Sequence, residues 1–256
     1  MIKEEHHERE SWNDYFKSSL ESSQSSEELK LDSLWWQIVN RDIHHIVSPL
    51  MKGIDRPKLL EAGCGAARSS IALMSEHKDA DLSLLDISEY ALAFARKEAE
   101  RNGFLNVQYL NASLFNMPVD NESFDLTWNV GVIEHYDEEK IEAMIKEMWR
   151  TVKDGGFLVI GIPNRKSIPV IKAYILGSNF GRNYLSVLPG YRYDTEKLYS
   201  DSEASLIIER AIGKKPVIRY AGSPIWNSAS DFLVKFLDST MQKSMFSFIT
   251  LFILRK

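Results

Sequence analysis

Three short stretches carry side chains whose type and spacing could do chemistry. The first is Glu61-Ala62-Gly63-Cys64-Gly65-Ala66-Ala67, directly after the apolar run 58–62. Glycines there allow a tight turn and close approach to the backbone, and a helix N-terminus behind them favours a negative group. The second is Asp86, which ends the apolar run 82–86, 21 residues beyond Gly65. A carboxylate at that place can accept both hydrogen bonds of a ribose diol. Standing alone it would more often be a solvated strand end; behind a glycine loop, ribose binding is the better reading. The third is Thr127–His135, ending in Glu134-His135. His135 has the ordinary pKa of a general base, and it could equally pack or cap the helix that Asp137 begins.

Other reactive residue types are expected to be structural. Cys64 is the only cysteine, which excludes an internal disulfide and a cysteine-rich metal site. Inside a tight loop it reads as a small apolar filler. His6-His7 and His44-His45 are adjacent pairs that point different ways on a helix, so no metal is expected.

The elements that must position these residues follow from hydrophobic rhythm. Apolar residues from Leu31 to Val47 recur at three- and four-residue spacing, a helix ended by Pro49 and Gly53. From Pro57 the pattern runs strand, turn, helix, with strands at 58–62, 82–86, 107–110, 124–129 and 157–162. Helices are expected at 69–75, after the cap Ser88, and from Asp137 to a stop at Gly155-Gly156. A helix from Thr195 to about Arg210, a strand 217–221, a helix 230–241 and a last strand 248–254 complete the chain. Alternation of this kind requires crossovers and a mostly parallel sheet: an α/β, doubly wound fold of seven strands. In such a sheet ligands bind beyond the carboxyl ends of the strands, where all three stretches fall.

Together these residues resemble the class I S-adenosylmethionine-dependent methyltransferases, in their small-molecule branch. LLEAGCGAARSS is similar to that family's first motif, and LLDIS followed by ALAFARKEA to its second. FNMPVDNESFDLTWNVGVIEH and WRTVKDGGFLVIGIPN extend the likeness over 57–163, and GYRYDTEKLYS more faintly beyond. The resemblance implies a Rossmann-like core, S-adenosylmethionine as cofactor, and in-line methyl transfer to an oxygen or nitrogen of a small molecule. Glu61, Gly63 and Gly65 would line the methionine moiety, with Ala62 and Cys64 in the same loop. Asp86 would hold the ribose and Ile87 would lie against adenine, with Ser113 and Leu114 beside the ring. Asn129 would offer backbone contacts near the sulfonium, and Arg41 would pair with the cofactor carboxylate. Two positions depart from the family pattern: Ala67 stands where a third glycine is common, and Ser113 where an acid is common. A nicotinamide dehydrogenase would want a glycine at Arg68.

The implied domain organisation is an arm and lid helix (1–50), a cofactor core (51–163), a pocket-forming insertion (164–192) and the C-terminal half of the sheet (193–256). The Ser-rich stretch SSLESSQSSEELK has the composition of a linker. The insertion holds five bases and no acid, in a chain of net charge −5. We expect Trp12, Tyr15, Phe16, Trp35 and Trp36 to form a lid over a partly cationic pocket with Arg165, Tyr174 and Tyr191, suited to an anionic small molecule. The alternative is that the tryptophans are helix core and the bases solvated. A pI near 5.8 weighs against nucleic acid. The helix at 230–241 sets Phe232, Leu233, Phe236 and Leu237 beside Lys235 and Lys243, which leaves weak membrane-surface contact and a lipid-linked acceptor as an alternative. A non-catalytic cofactor-binding protein is a third. The charged N-terminal stretch gives a cytoplasmic location as the expectation; nothing in the sequence bears on oligomeric state.

Overall fold

Strand β1, Lys58–Ala62, buries four of its five residues in succession, and β2, Asp81–Asp86, buries five of six. Continuous burial marks strands covered on both faces, the condition of a parallel sheet between helix layers. The computed structural model describes residues 9–17, 33–184, 196–225, 229–240 and 245–256. Five further strands complete the sheet: β3 (Val107–Asn111), β4 (Phe124–Val130), β5 (Val152–Pro163), β6 (Val217–Ala221) and β7 (Ile249–Arg255). Their order is β3-β2-β1-β4-β5-β7-β6. Strands β1 to β5 pair in parallel, and β7 runs antiparallel to both neighbours. The chain steps from β1 outward to β3, then returns to the other side of β1 with β4. That reversal opens a crevice at the carboxyl ends of β1 and β4.

Strand alternation sends side chains into two separate cores. Leu59, Leu82, Leu84, Leu126, Trp128 and Leu251 meet helices α2 (Leu34–Val47), α3 (Arg68–Met74) and α4 (Glu89–Arg101) on one face. Leu60, Leu85, Leu158, Ile160 and Phe252 meet α5 (Glu138–Thr151) and α8 (Asp201–Ile212) on the other. Helix α5 is amphipathic, with Ile141, Met144, Ile145 and Met148 on its buried stripe, and Asp137 caps it by accepting the Lys140 N–H at 3.1 Å. A short helix α1 spans 9–17. Helices α6 (Ile168–Gly177) and α7 (Asn179–Tyr184) follow β5, and α9 (Asp231–Thr240) precedes β7.

Three boundaries differ from expectation. Helix α5 stops at Thr151, not at the glycine pair, and the next twelve residues are strand. Gly155 and Gly156 lie within β5 beside a register shift on β4; a Cβ on Gly156 would sit 2.9 Å from the Asp125 carbonyl oxygen. Gly156 therefore serves a close strand approach, and Gly155 a left-handed φ of +80, rather than a helix stop. Helix α8 starts at Asp201, because Ser200 and Glu203 form a capping box there. Helix α9 packs through Val234 and leaves Phe232 and Phe236 exposed, their rings stacked 6.5 Å apart; Lys243 lies outside the described residues. Among the described residues, no helix is long and apolar enough to cross a membrane.

Candidate active site

The loop after β1 is bound to the end of β2 through hydrogen bonds. The Gly63 and Cys64 N–H groups both donate to the Leu85 carbonyl, at 2.7 and 2.9 Å. Gly65 N–H donates to Asp86 Oδ2 at 2.8 Å, and Ser88 N–H donates to Asp86 Oδ1 at 2.9 Å. Asp86 is thus the joint between two loops, with lone pairs left over on each oxygen. Burial pushes its pKa up, against the Ser88 and Gly65 donors. Gly63 has φ +76, and a Cβ there would lie 2.8 Å from Val132 Cγ2, so the turn tolerates no side chain. Ala67, at the variant third position, adopts φ 53, a left-handed conformation that costs a non-glycine residue about 1 kcal/mol. Asn111 fastens the next stretch, with its Nδ2 donating to the carbonyls of Asp86 at 3.1 Å and Ile87 at 2.9 Å. Ser113 is buried and accepts the Phe115 N–H at 3.3 Å; Leu114 lines the loop, 3.5 Å from the Cβ position of Gly63.

Buried polar atoms need partners, and orphans call for an explanation. Among the described residues, Glu61 Oε2, Asn129 Oδ1 and Glu134 Oε2 are buried without one. They belong to the ends of β1 and β4 and to the turn after β4, the rim of the crevice. Burial pushes both Glu61 and Glu134 up to about 8; a Ser70 hydrogen bond pulls Glu61 down only in part. His135 shares the short turn Ile133–His135 with Glu134. Burial lowers its pKa while Glu196 raises it, leaving a neutral imidazole at pH 7. Cys64 is buried with its pKa raised well above an ordinary thiol's, so it is no nucleophile.

Helix α1 lies across this rim. The Trp12 ring meets the His135 ring edge-on at 5.2 Å, and Phe16 sits 3.3 Å from the Cβ position of Gly65. Ser88 Oγ donates to Asn13 Oδ1 at 2.8 Å, and Arg9 donates to Asn111 Oδ1 at 3.2 Å. One short helix therefore touches the loops after β1, β2 and β4 and the last residue of β3. Tyr15 is exposed, its ring edge-on to Trp12 and Phe16.

Several expected residues are elsewhere. Trp35 is core, not lid: its Nε1 donates to the Ile225 carbonyl and its ring packs on Trp36 and Phe248. Trp36 shares that cluster, since both tryptophans belong to the apolar stripe of α2. Arg41 does not reach the crevice; its guanidinium is held by Asp42 at 2.7 Å and by Asp238 of α9 at 2.9 and 3.0 Å. Arg165 pairs with Glu203 at 3.3 Å, and Tyr174 is exposed on α6. Tyr191, His6 and His7 lie outside the described residues, as does the Ser-rich stretch. A cleft of about 490 Å³ opens at the opposite end of the sheet, around Lys58, Asp81 and Ser83. It lacks the glycine loop and the orphaned oxygens, and the strand ends it occupies are not those that bind ligands.

Comparison with known proteins agrees with this geometry. Residues 59–156 match a family model described as a methyltransferase domain. Residues 59–156 carry a methyltransferase domain of the S-adenosylmethionine-dependent kind. S-adenosylmethionine is the cofactor of that family. The chain is 29% identical over 162 residues to a ubiquinone biosynthesis O-methyltransferase of Sinorhizobium fredii, covering 62% of this chain and 59% of that one. A protein of the same name from Roseobacter denitrificans is 25% identical over 220 residues, covering 83% and 84%. The fold is shared with an S-adenosylmethionine-dependent methyltransferase of Thermotoga maritima, with TM-score 0.61 and 18% identity, over 96% of this chain and 99% of that one.

Gly63 and Gly65 put no side chain of their own into the turn, which Val132 and Phe16 approach, and the buried Glu61 Oε2 near them has no partner among the described residues; an ammonium-bearing cofactor suits this set. The motifs did not single out Ser88, Asn111 or Asn13 for the roles they have here, holding the loops and helix α1 together. Ser88 was visible only as a helix cap, and Asn111 fell just past the expected strand 107–110, whereas it ends β3 in the fold. If α1 is a lid on the cofactor, the double substitution Trp12→Ala and Phe16→Ala should raise the KM for S-adenosylmethionine about tenfold, as expected for losing two aromatic contacts. Steady-state kinetics with the variant would show it; an unchanged KM removes α1 from cofactor binding.

Proposed function

We propose that the protein moves the methyl group of S-adenosylmethionine to an oxygen or nitrogen atom of a small molecule. The observation that carries this reading is the set of orphaned oxygens at the crevice, Glu61 Oε2 and Glu134 Oε2 above all. A buried carboxyl oxygen without a donor is costly unless a ligand supplies one. Glu61 is suited to an ammonium, Asp86 to a pair of hydroxyls, and the Ile87 and Leu114 side chains to a flat ring. Bound S-adenosylmethionine supplies an electrophilic methyl group on a sulfonium. The chain then has to align an acceptor and keep water out, which α1 does by covering the rim.

Proton removal is needed where the acceptor is a hydroxyl of high pKa. His135 has what that step requires: a neutral ring, a place at the rim, and an aromatic wall in Trp12. The alternative role, capping α5, belongs to Asp137 instead. Glu134, in the same turn, offers a further polar group to the acceptor. The related names on two ubiquinone O-methyltransferases support an oxygen acceptor.

Two measurements test the reading. Calorimetric titration with S-adenosylmethionine should show saturable binding at one site; no binding overturns the proposal. With an acceptor found by screening hydroxylated and amino compounds, His135→Ala should lower kcat by about 10²-fold or more, with cofactor affinity kept. Near-normal turnover would remove His135 from the chemistry.

A further inference from the structure

Helix α6 is apolar on both sides. Val170, Ala173 and Leu176 form its buried stripe. Ile168, Ile171, Tyr174 and Ile175 form the opposite stripe, each between 44% and 59% exposed. At 3.6 residues per turn these four lie within about a third of the helix circumference, one continuous outward face. Helix α7 continues it with Phe180 and Tyr184, 60% and 74% exposed, their rings 5.2 Å apart. The face is held firmly. Ser167 caps α6, and the buried Asn164 donates from Nδ2 to the carbonyls of Met245 at 2.7 Å and Ser247 at 2.9 Å. Those bonds bring the exposed Met245 and Phe246 next to the start of α6.

Charge selects the partner. Residues 164–192 hold five bases and no acid, although the whole chain has a net charge of −5. Lys166 precedes the outward stripe and Lys172 stands beside it, one turn after Ile168. A second copy of the chain docked by a two-fold axis would bring these like charges together. Isoleucines and aromatics on a segment that carries bases and no acid of its own suit an anionic lipid headgroup layer, where apolar side chains enter the acyl boundary and bases meet phosphates.

We infer that α6 and α7 dock the protein on an anionic lipid surface. The segment follows β5, which runs parallel beside β4, so docking brings the mouth of the crevice toward the lipid. An acceptor dissolved in the bilayer would then reach the site without crossing water. The docking itself does not rest on methyl transfer and is tested apart from it.

The test is flotation of the full chain with vesicles of phosphatidylcholine alone or with about 30% phosphatidylglycerol, at low and high salt. Recovery should be at least about fivefold greater with the anionic vesicles and fall with salt. The double variant Ile171→Asp, Ile175→Asp should lose about tenfold or more of that recovery, and Lys166→Glu, Lys172→Glu about fivefold or more. Both should keep the wild-type affinity for S-adenosylmethionine, which shows that the fold is intact. Phe232→Asp, Phe236→Asp in α9 should float as the wild type does. An environment-sensitive dye on Ile175→Cys should brighten when anionic vesicles are added. Failure to float, loss confined to the α9 variant, or dye brightening with protein concentration alone would each overturn the assignment. The last would place a second copy on this face.

Discussion

Asp86→Ala is expected to weaken S-adenosylmethionine binding by at least about a hundredfold. Two hydrogen bonds from a ribose to a carboxylate are worth roughly 1.5–3 kcal/mol each, and the variant removes both. It also strips the acceptor from the Gly65 and Ser88 N–H groups, so both loops lose the joint that holds them. The effect should therefore exceed that of Asp86→Asn, which keeps one acceptor oxygen. Calorimetric titration gives the affinities, and thermal unfolding separates loop loss from ligand contact. Equal affinity for Asp86→Ala and wild type would exclude Asp86 from the cofactor site.

The second large effect concerns Glu61. Burial raises its pKa from 4.5 in the open chain to about 8 in the fold. Between those values the folded chain keeps a proton that the unfolded chain releases, so apo stability falls as pH rises from about 4.5 to 8. Glu61→Gln removes that burden and should raise the apo Tm at pH 8 by about 5 °C, for a relief of roughly 2 kcal/mol. The same variant should weaken S-adenosylmethionine binding by about thirtyfold or more, because the ligand ammonium loses its counter-charge. In the wild type, binding requires the ionised carboxylate, so affinity should climb with pH until about 8. It should decline above that as the ligand's own amino group, near 7.7–8.0, loses its proton. The glutamine variant should lack the rising limb. A variant that is more stable yet binds as tightly would refute the ammonium role.

How far the sequence foretold the site depends on what each residue does locally. The glycine turn, Asp86 and the paired Glu134-His135 were legible, because each needs a residue type that its own neighbours demand. The alternation of strand and helix announced a mostly parallel sheet, and β1 to β5 do pair in parallel. What escaped is set by contacts across the fold. Arg41 was free to be assigned anywhere until Asp238, 197 positions on, is seen to hold it. Trp35 and Trp36 have the look of a lid in a list of residues, but α2 turns them to Phe248. Gly155-Gly156 is a helix stop by local rules and a strand in the fold, where Asp125 approaches Gly156 too closely for a side chain and Gly155 takes a left-handed φ. Conversely, Trp12 and Phe16, isolated aromatics in the chain that were expected in a lid, have their contacts set by the fold, where α1 meets His135 and Gly65.

The place of β7 in the sheet has a consequence for how the molecule is assembled. Strand β6 leaves the ribosome before the strand that joins it to β5, so it has no sheet neighbour when it is made. The five parallel strands, with the loops that form the crevice, are complete in order of synthesis well before β7 inserts between β5 and β6. The cofactor half can therefore collect its contacts early, and the last closure is a long-range antiparallel one. Until it happens, the outer edge of β5 is open, beside the segment whose exposed isoleucines face outward. That edge, in an incompletely folded chain, is where aggregation would begin.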